Sequence, residues 1–181
     1  MKITLVTLFS EFFGSVLDSS IIGRASKKKL ISFELVNPRD FTTDKHQSVD
    51  SRPYGGGVGM VLRVDVMYRA IQNARKAGSH IVLLTPQGSV FNQKKAIELS
   101  TKKNLTLICG HYEGFDERIR DFVDEEISIG DYILTSGEVA ANVLIDSIVR
   151  LLPGVLGKDE SSQKESFATE TSGAILEYPQ Y

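Results

Sequence analysis

Short apolar runs alternate along the chain with segments in which apolar residues recur every three or four positions. The runs predict strands at Ile3–Phe9, Ile31–Val36, Ile81–Leu84 and Leu105–Cys109, and a shorter strand near Glu125–Ile129. The helical spacing predicts helices at Glu11–Leu17, Val64–Ala77, Asn92–Ser100, Asp116–Phe122 and Gly137–Leu152. This alternation of strands and helices predicts an α/β domain whose sheet is largely parallel and flanked by helices.

The pattern ends before the chain does. Residues 157–173 are dominated by polar and charged side chains, with Phe167 as their only large apolar residue. Such a segment buries too little apolar surface to offset the entropy lost on ordering. We therefore expect a folded domain over residues 1–156 and a mobile segment over residues 157–181.

Composition excludes several classes of protein. Among 181 residues, 41% are hydrophobic and the formal charge is −2, which excludes a polybasic protein but allows a local basic face. The single cysteine, Cys109, can form neither an internal disulfide nor a cysteine-based zinc site, and a reducing cytoplasm fits best. The apolar run that follows Lys2 could be the core of a signal sequence, but a buried strand is favoured. No apolar run is long enough to span a membrane.

A glycine-rich segment, Asp50–Met60, is the most unusual stretch of the sequence. Its four glycines allow positive φ and close approach of a ligand to the backbone. No Gly-Lys-Ser/Thr follows, so the segment is not a Walker loop, and it does not match G-x-G-x-x-G. A ligand-binding loop and a tight structural loop both remain open.

Three further loops follow predicted strands, at Thr85–Gly88, Cys109–Gly114 and Ser128–Leu134. Ligands bind at this edge of parallel α/β sheets, where Gly and Pro leave backbone groups available. An adenosine-type small-molecule site and a set of ordinary turns are equally compatible with the pattern.

The last predicted helix is apolar on nearly every side, except for a polar stripe formed by Glu138, Asn142, Asp146 and Arg150. Arg150 either pairs with Asp146 on a solvated face or holds a guanidinium at the mouth of a site, near Glu165. The three histidines have no metal-ligand spacing, so we predict no metal site.

Taken together, Asp50–Met60, Cys109–Asp116, Ser128–Leu134 and Asp146–Gly157 resemble the bacterial tRNA (guanine-N1)-methyltransferase family, TrmD. The likeness extends over essentially the whole chain. It implies a SPOUT-type fold with a deep trefoil knot toward the C-terminus, and a homodimer with its sites at the interface. It also implies S-adenosylmethionine as methyl donor, Mg²⁺ as an aid to catalysis, and the tRNA anticodon stem-loop as partner, with no membrane and no DNA.

The resemblance also assigns roles to residues. The target is the guanosine immediately 3′ of the anticodon, received by Asp50, Arg52 and Gly59. Glu165 would remove the N1 proton as general base, and Arg150 would stabilise the charge that develops on O6. The residues expected to bind the donor are Pro86, Gln87, Gly110, Glu113, Ile129, Gly130, Asp131, Tyr132, Ile133 and Leu134.

Two departures from the family leave an alternative open. Glu165 stands where the family has an aspartate, and we expect the family's C-terminal tRNA-binding domain to be absent, since the sequence ends at Tyr181. The alternative is a truncated dimeric core that binds S-adenosylmethionine with little or no tRNA methylation. A nucleotide-hydrolysing protein that uses Gly55–Gly59 is disfavoured by the missing lysine.

Overall fold

The computed structural model describes residues 1–156 together with Ser166 and Phe167. The predicted mobile segment therefore lies outside the described residues, apart from those two. The described residues form seven strands: β1 (Lys2–Val6), β2 (Ser32–Val36), β3 (Asp50–Ser51), β4 (Val61–Leu62), β5 (Ser79–Val90), β6 (Asn104–Ile108) and β7 (Glu125–Ser128). Five of them form one parallel sheet in the order β2-β1-β6-β5-β7.

Helices cover this sheet. The α-helices are α1 (Gly14–Asp18), α2 (Ser20–Lys27), α3 (Val64–Ala74), α4 (Gln93–Ser100) and α5 (Gly137–Val149). Short 3-10 helices occupy Ser10–Phe13, Pro38–Phe41 and Glu117–Phe122. In the described part of the chain, no helix is both long and apolar enough to cross a membrane.

The period-2 alternation of the strands divides the core between the two faces of the sheet. In β1, Ile3 and Leu5 contribute to a cluster that contains α5, whereas Val6 contributes to a second cluster that contains α3. Apolar residues on both faces explain why the strands form uninterrupted hydrophobic runs. The predicted α/β class and largely parallel sheet are confirmed.

Several boundaries differ from prediction because contacts distant in sequence decide them. The helix predicted over Asp116–Phe122 is a 3-10 helix, and the one predicted over Glu11–Leu17 is a 3-10 turn followed by α1. The last helix ends at Val149 rather than Leu152. Helix α2 and the small antiparallel sheet of β3 and β4 were not predicted.

Strand β5 shows the largest difference. It continues to Val90, so the predicted loop Thr85–Gly88 lies inside a strand. Its pairing with β7 jumps there, because both Leu84 and Ser89 lie opposite Ile127. The intervening residues are displaced from the ladder as a bulge, which proline and glycine tolerate.

Candidate functional site

A cavity of about 380 Å³ lies at the carboxyl edge of the sheet, where three connecting segments meet. It is lined by the β5 bulge, by the loop after β6 and by the loop between β7 and α5. The structure brings together nine of the ten residues predicted to bind the donor: Pro86, Gln87, Gly110, Glu113, Ile129, Gly130, Tyr132, Ile133 and Leu134. Asp131 is exposed and does not line the cavity.

The β5 bulge is held by a neighbouring cation. A guanidinium nitrogen of Arg120 donates to the side-chain oxygen of Gln87. The same guanidinium forms ion pairs with Glu117, at 2.8 Å, and with Glu126, at 3.2 Å. Arg120 and Glu117 also line the cavity, although they were not predicted as site residues. The Glu117–Arg120 spacing was the only sequence signal for this network, since Glu126 lies on another element.

The glycine-rich segment contacts the loop that follows β6. The Glu113 amide donates to the Met60 carbonyl at 2.9 Å, and the Leu62 amide donates to the Gly114 carbonyl at 2.9 Å. Gly59 has φ +89°, and a Cβ at this position would collide with the Glu113 side chain. The backbone of the glycine-rich segment therefore passes directly beside the cavity.

Of the other residues predicted to bind the guanosine, Asp50 pairs with Leu62 in the small sheet. Asp50 is half-buried and Arg52 is exposed, beyond the end of β3. The structure thus places Gly59 against a cavity-lining residue, and Asp50 on the strand that anchors the same segment. Arg52 does not line the cavity.

The loop between β7 and α5 folds back on itself. The Tyr132 hydroxyl donates to the Ile129 carbonyl at 3.1 Å, and the Tyr132 amide donates to the Gly130 carbonyl at 3.0 Å. Gly130 has φ +143°, and a Cβ there would meet the Tyr132 ring. Ile133 remains 84% exposed at the cavity mouth, so apolar surface is available to a ligand or to another chain.

Helix α5 begins in tight contact with the end of β6. The Gly137 amide donates to the Gly110 carbonyl at 2.8 Å, and a Cβ on Gly137 would lie 2.5 Å from the Gly110 nitrogen. Glycine is therefore required at Gly137 for this approach. Both glycines line the cavity.

Glu138, the next residue, is buried rather than solvated as its place in the polar stripe had suggested. It is 1% exposed, and its Oε1 accepts a hydrogen bond from the Thr7 hydroxyl at 2.6 Å. Its Oε2 has no hydrogen-bond partner among the described residues. A buried carboxylate thus joins the end of β1 to the beginning of α5.

Of the two residues predicted to act in catalysis, Arg150 does not line the cavity. Arg150 follows the last residue of α5, whereas the cavity contacts its first turn. Thirteen helical residues span roughly 20 Å. Within one chain, Arg150 is therefore remote from the cavity, and Glu165 lies outside the described residues.

Two titrating groups beside the cavity have perturbed pKa values. The side-chain hydrogen bond from Arg118 lowers the pKa of Asp116, which also accepts from the Arg118 amide at 3.1 Å. Burial raises the pKa of the Cys109 thiol well above its usual value, and the nearby Glu138 charge adds to this effect. Cys109 is therefore protonated at neutral pH and is not a thiolate nucleophile.

Among the described residues, no three His, Cys, Asp or Glu side chains are grouped so that they could hold a metal ion. His111 instead contacts aromatic rings, with its centroid 4.7 Å from Phe9 and 4.9 Å from Tyr112.

Comparison with known proteins decides the family. The model of the family described as tRNA (Guanine-1)-methyltransferase TrmD matches residues 1–181. The chain belongs to the TrmD family. A TrmD relative from Carboxydothermus hydrogenoformans is 53% identical over 182 residues, and one from Dictyoglomus turgidum is 50% identical over 181 residues. A third, from Anoxybacillus flavithermus, is 51% identical over 185 residues.

Each of these three relatives is named tRNA (guanine-N(1)-)-methyltransferase. The alignments cover 100% of this chain and 70%, 72% and 74% of the respective relatives. The TrmD match therefore includes all three segments that line the cavity and the glycine-rich segment beside them.

Proposed function

We propose that the chain transfers a methyl group from S-adenosylmethionine to N1 of a guanosine in tRNA, the one immediately 3′ of the anticodon. The observation that carries the proposal is the family match over the whole chain, together with the convergence of its three loop segments on one cavity. The names of the three relatives support the same reaction.

The cavity suits the methyl donor in size and chemistry. Its volume of about 380 Å³ falls within the roughly 300–1,000 Å³ typical of small-molecule sites. Backbone groups around Gly110 and Gly130 are accessible to the polar parts of the donor, and Leu134 and Ala140 offer apolar contact to its adenine ring. When bound, the donor supplies an electrophilic methyl group on a sulfonium sulfur.

The glycine-rich segment receives the guanosine in this proposal. Gly59 contacts Glu113, and hydrogen bonds from Glu113 and Leu62 fasten the segment next to the cavity. A base held along this backbone lies beside the donor, so the protein contributes orientation as well as affinity. Asp50 and Arg52 provide one acceptor and several donors for the edge of guanine.

The remaining chemistry is the removal of a proton from N1. Glu165 accepts that proton, and the Arg150 guanidinium stabilises the negative charge that moves to O6. Because Arg150 lies roughly 15 Å along α5 from Ala140, the last residue of this helix that lines the cavity, it serves the cavity of a second subunit. A homodimer with shared sites is therefore part of the proposal.

Exposed apolar surface on α5 supports this dimer, since Val143 on this helix is 42% exposed. We extend the proposal to the trefoil knot expected from the family. The close packing of Gly137 on Gly110, and of Gly88 on Ile127, suits a backbone that threads tightly through these loops.

A single-turnover assay tests the proposed function. Labelled S-adenosylmethionine is mixed with an excess of the chain and an unmodified tRNA that carries guanosine 3′ of its anticodon, and 1-methylguanosine is measured. We expect product from the unaltered chain. Donor binding with no product would contradict the proposal and leave only a donor-binding core.

The Glu165→Gln variant tests the base. It removes the proton acceptor but keeps the size of the side chain, so transfer should fall by about 100-fold or more. Donor affinity, measured by calorimetry, should stay unchanged, because the substitution keeps the size of the side chain. Transfer at the unaltered rate would remove Glu165 from the mechanism.

A further inference from the structure

The edge of the sheet opposite the cavity is rich in lysine. Because the five strands are parallel, their amino ends all lie at this edge. We define the lysine edge as the lysines that begin or shortly precede these strands: Lys2, Lys27, Lys28, Lys29, Lys76, Lys102 and Lys103. They come from four separate parts of the chain.

The sheet brings these lysines together. Lys2 lies opposite Ser32 of β2 and Asn104 of β6, so the segments that precede both strands flank it. The Lys2 amide donates to the Lys103 carbonyl at 2.8 Å. Lys2, Lys29 and Lys103 line one open groove.

Carboxylates at this edge are unevenly placed. Asp124 and Glu125 lie at the start of β7, at one end of the sheet, where Glu125 pairs with His80 and Lys95. Glu34 forms an ion pair with Lys2 at 2.7 Å and lies 3.9 Å from Lys76, and the hydrogen bond from Lys2 lowers the Glu34 pKa. Four lysines of the edge form no ion pair with any described carboxylate: Lys27, Lys28, Lys29 and Lys103. The part of the edge formed by β2, β1 and β6 is therefore positive in a chain whose formal charge is −2.

Lys29 adds an independent observation. It follows the cap residue of α2 with φ +60°, the left-handed conformation in which glycine is usual. The Leu30 amide donates to the Ala25 carbonyl at 3.0 Å, which holds this turn in place. The helix dipole explains why lysines lie at the end of α2. It does not explain the positive φ of Lys29, nor the position of Lys103 beside it on a different segment.

We propose that the lysine edge binds the phosphates of an RNA duplex, in the part of tRNA that continues beyond the anticodon loop. The choice of RNA rests on the proposed function. A five-residue strand is about 17 Å long, so the two edges of the sheet are separated by less than one turn of a nucleic-acid helix. An RNA whose loop enters the cavity can therefore extend along the domain to the lysine edge.

Salt dependence of tRNA affinity provides the test. Log affinity falls as log salt rises, and each phosphate contact contributes roughly 0.9 to the steepness of this fall. Lys103→Gln should therefore make the slope shallower by about one. Lys27→Gln/Lys103→Gln should make it shallower by about two and weaken binding at least threefold. Arg69→Gln removes one positive charge from α3 and serves as the matched control, with an unchanged slope.

Lys29→Gly separates charge from folding. It removes a charge and relaxes the strained backbone, so thermal stability should hold or rise while tRNA affinity falls. A short single-stranded oligonucleotide with the sequence of the anticodon loop should bind all variants equally. Equal slopes for Lys103→Gln and Arg69→Gln would overturn the proposal, as would weaker binding of this oligonucleotide by the lysine variants, or a loss confined to anionic phospholipid vesicles.

This test does not depend on the methyl-transfer result. If the unaltered chain binds tRNA but makes no 1-methylguanosine, the proposed function fails and the comparison of slopes still decides the role of the lysine edge.

Discussion

Glu138 is the residue whose environment departs most from what its sequence position suggests. It occupies a stripe of polar residues on α5, yet it is 1% exposed and one of its oxygens has no hydrogen-bond partner among the described residues. The four-residue spacing was visible in the sequence. Burial was not, because it depends on Thr7, which is 131 positions away along the chain.

A double-mutant cycle tests the contact between Thr7 and Glu138. Thr7→Val removes the hydroxyl that donates to the buried carboxylate, so the free energy of unfolding should fall by about 2–4 kcal/mol. Adding Glu138→Met removes the unpaired charge, and the double variant should be more stable than Thr7→Val alone. Urea unfolding of all four chains measures this coupling, which we expect to be about 1–3 kcal/mol. Strictly additive effects would show that the two side chains do not interact.

Among the elements, β5 best shows what the sequence could and could not predict. Its first half was predicted correctly from the apolar residues Ile81–Leu84. Pro86 and Gly88 then predicted a loop, and they do leave the ladder. The strand resumes at Ser89 because β7 pairs with it, a contact that local sequence does not encode.

Helix α2 was not predicted because its local helical signal is weak. It has only eight residues and contains Gly23, which lowers the local helical signal. Gly23 lies so close to the Asp18 backbone that a Cβ would collide with it, so packing against α1 favours glycine there. Tertiary contact therefore decides the helix rather than propensity.

The role of the β5 bulge can be tested by replacing Arg120, which donates a hydrogen bond to Gln87 in the bulge. Arg120→Met removes the cation that holds Gln87, Glu117 and Glu126, so the β5 bulge should lose its fixed position. Donor affinity by calorimetry should fall about 3- to 10-fold, which corresponds to about 0.7–1.4 kcal/mol, the net contribution of one typical hydrogen bond. Arg75→Met is the control, because Arg75 donates to the Phe122 carbonyl at the end of the same 3-10 helix and lies outside the cavity. Equal affinities in the two variants would show that the Arg120 network does not support the donor site.

On the scale of the whole molecule, the proposed site extends beyond one chain. Sequence patterns correctly predicted the parallel sheet and the three segments that meet at its carboxyl edge. Sequence patterns did not predict the distance between Arg150 and the cavity, because that distance depends on the length and direction of α5. No local pattern reports whether a side chain serves its own subunit or another.

Mixed dimers test the proposed sharing of sites. One chain carries Arg150→Met, and the other carries Gly130→Val, which blocks a φ of +143° beside the cavity. Each homodimer should be inactive. Random mixing should restore about one quarter of the unaltered activity, because half of the dimers then hold one complete site. Absence of any recovery after subunit exchange would show that Arg150 serves its own chain, and an active Arg150→Met homodimer would show that Arg150 plays no part.

Cys109 follows the last residue of β6 and is 2% exposed, beneath the contact between Gly110 and Gly137. It is the only sulfhydryl in the chain. A modifying reagent reaches the Cys109 sulfur only while α5 is separated from the sheet. The labelling rate therefore measures the frequency of this local opening beside the proposed donor site. Bound donor should lower the labelling rate of Cys109 as its occupancy rises.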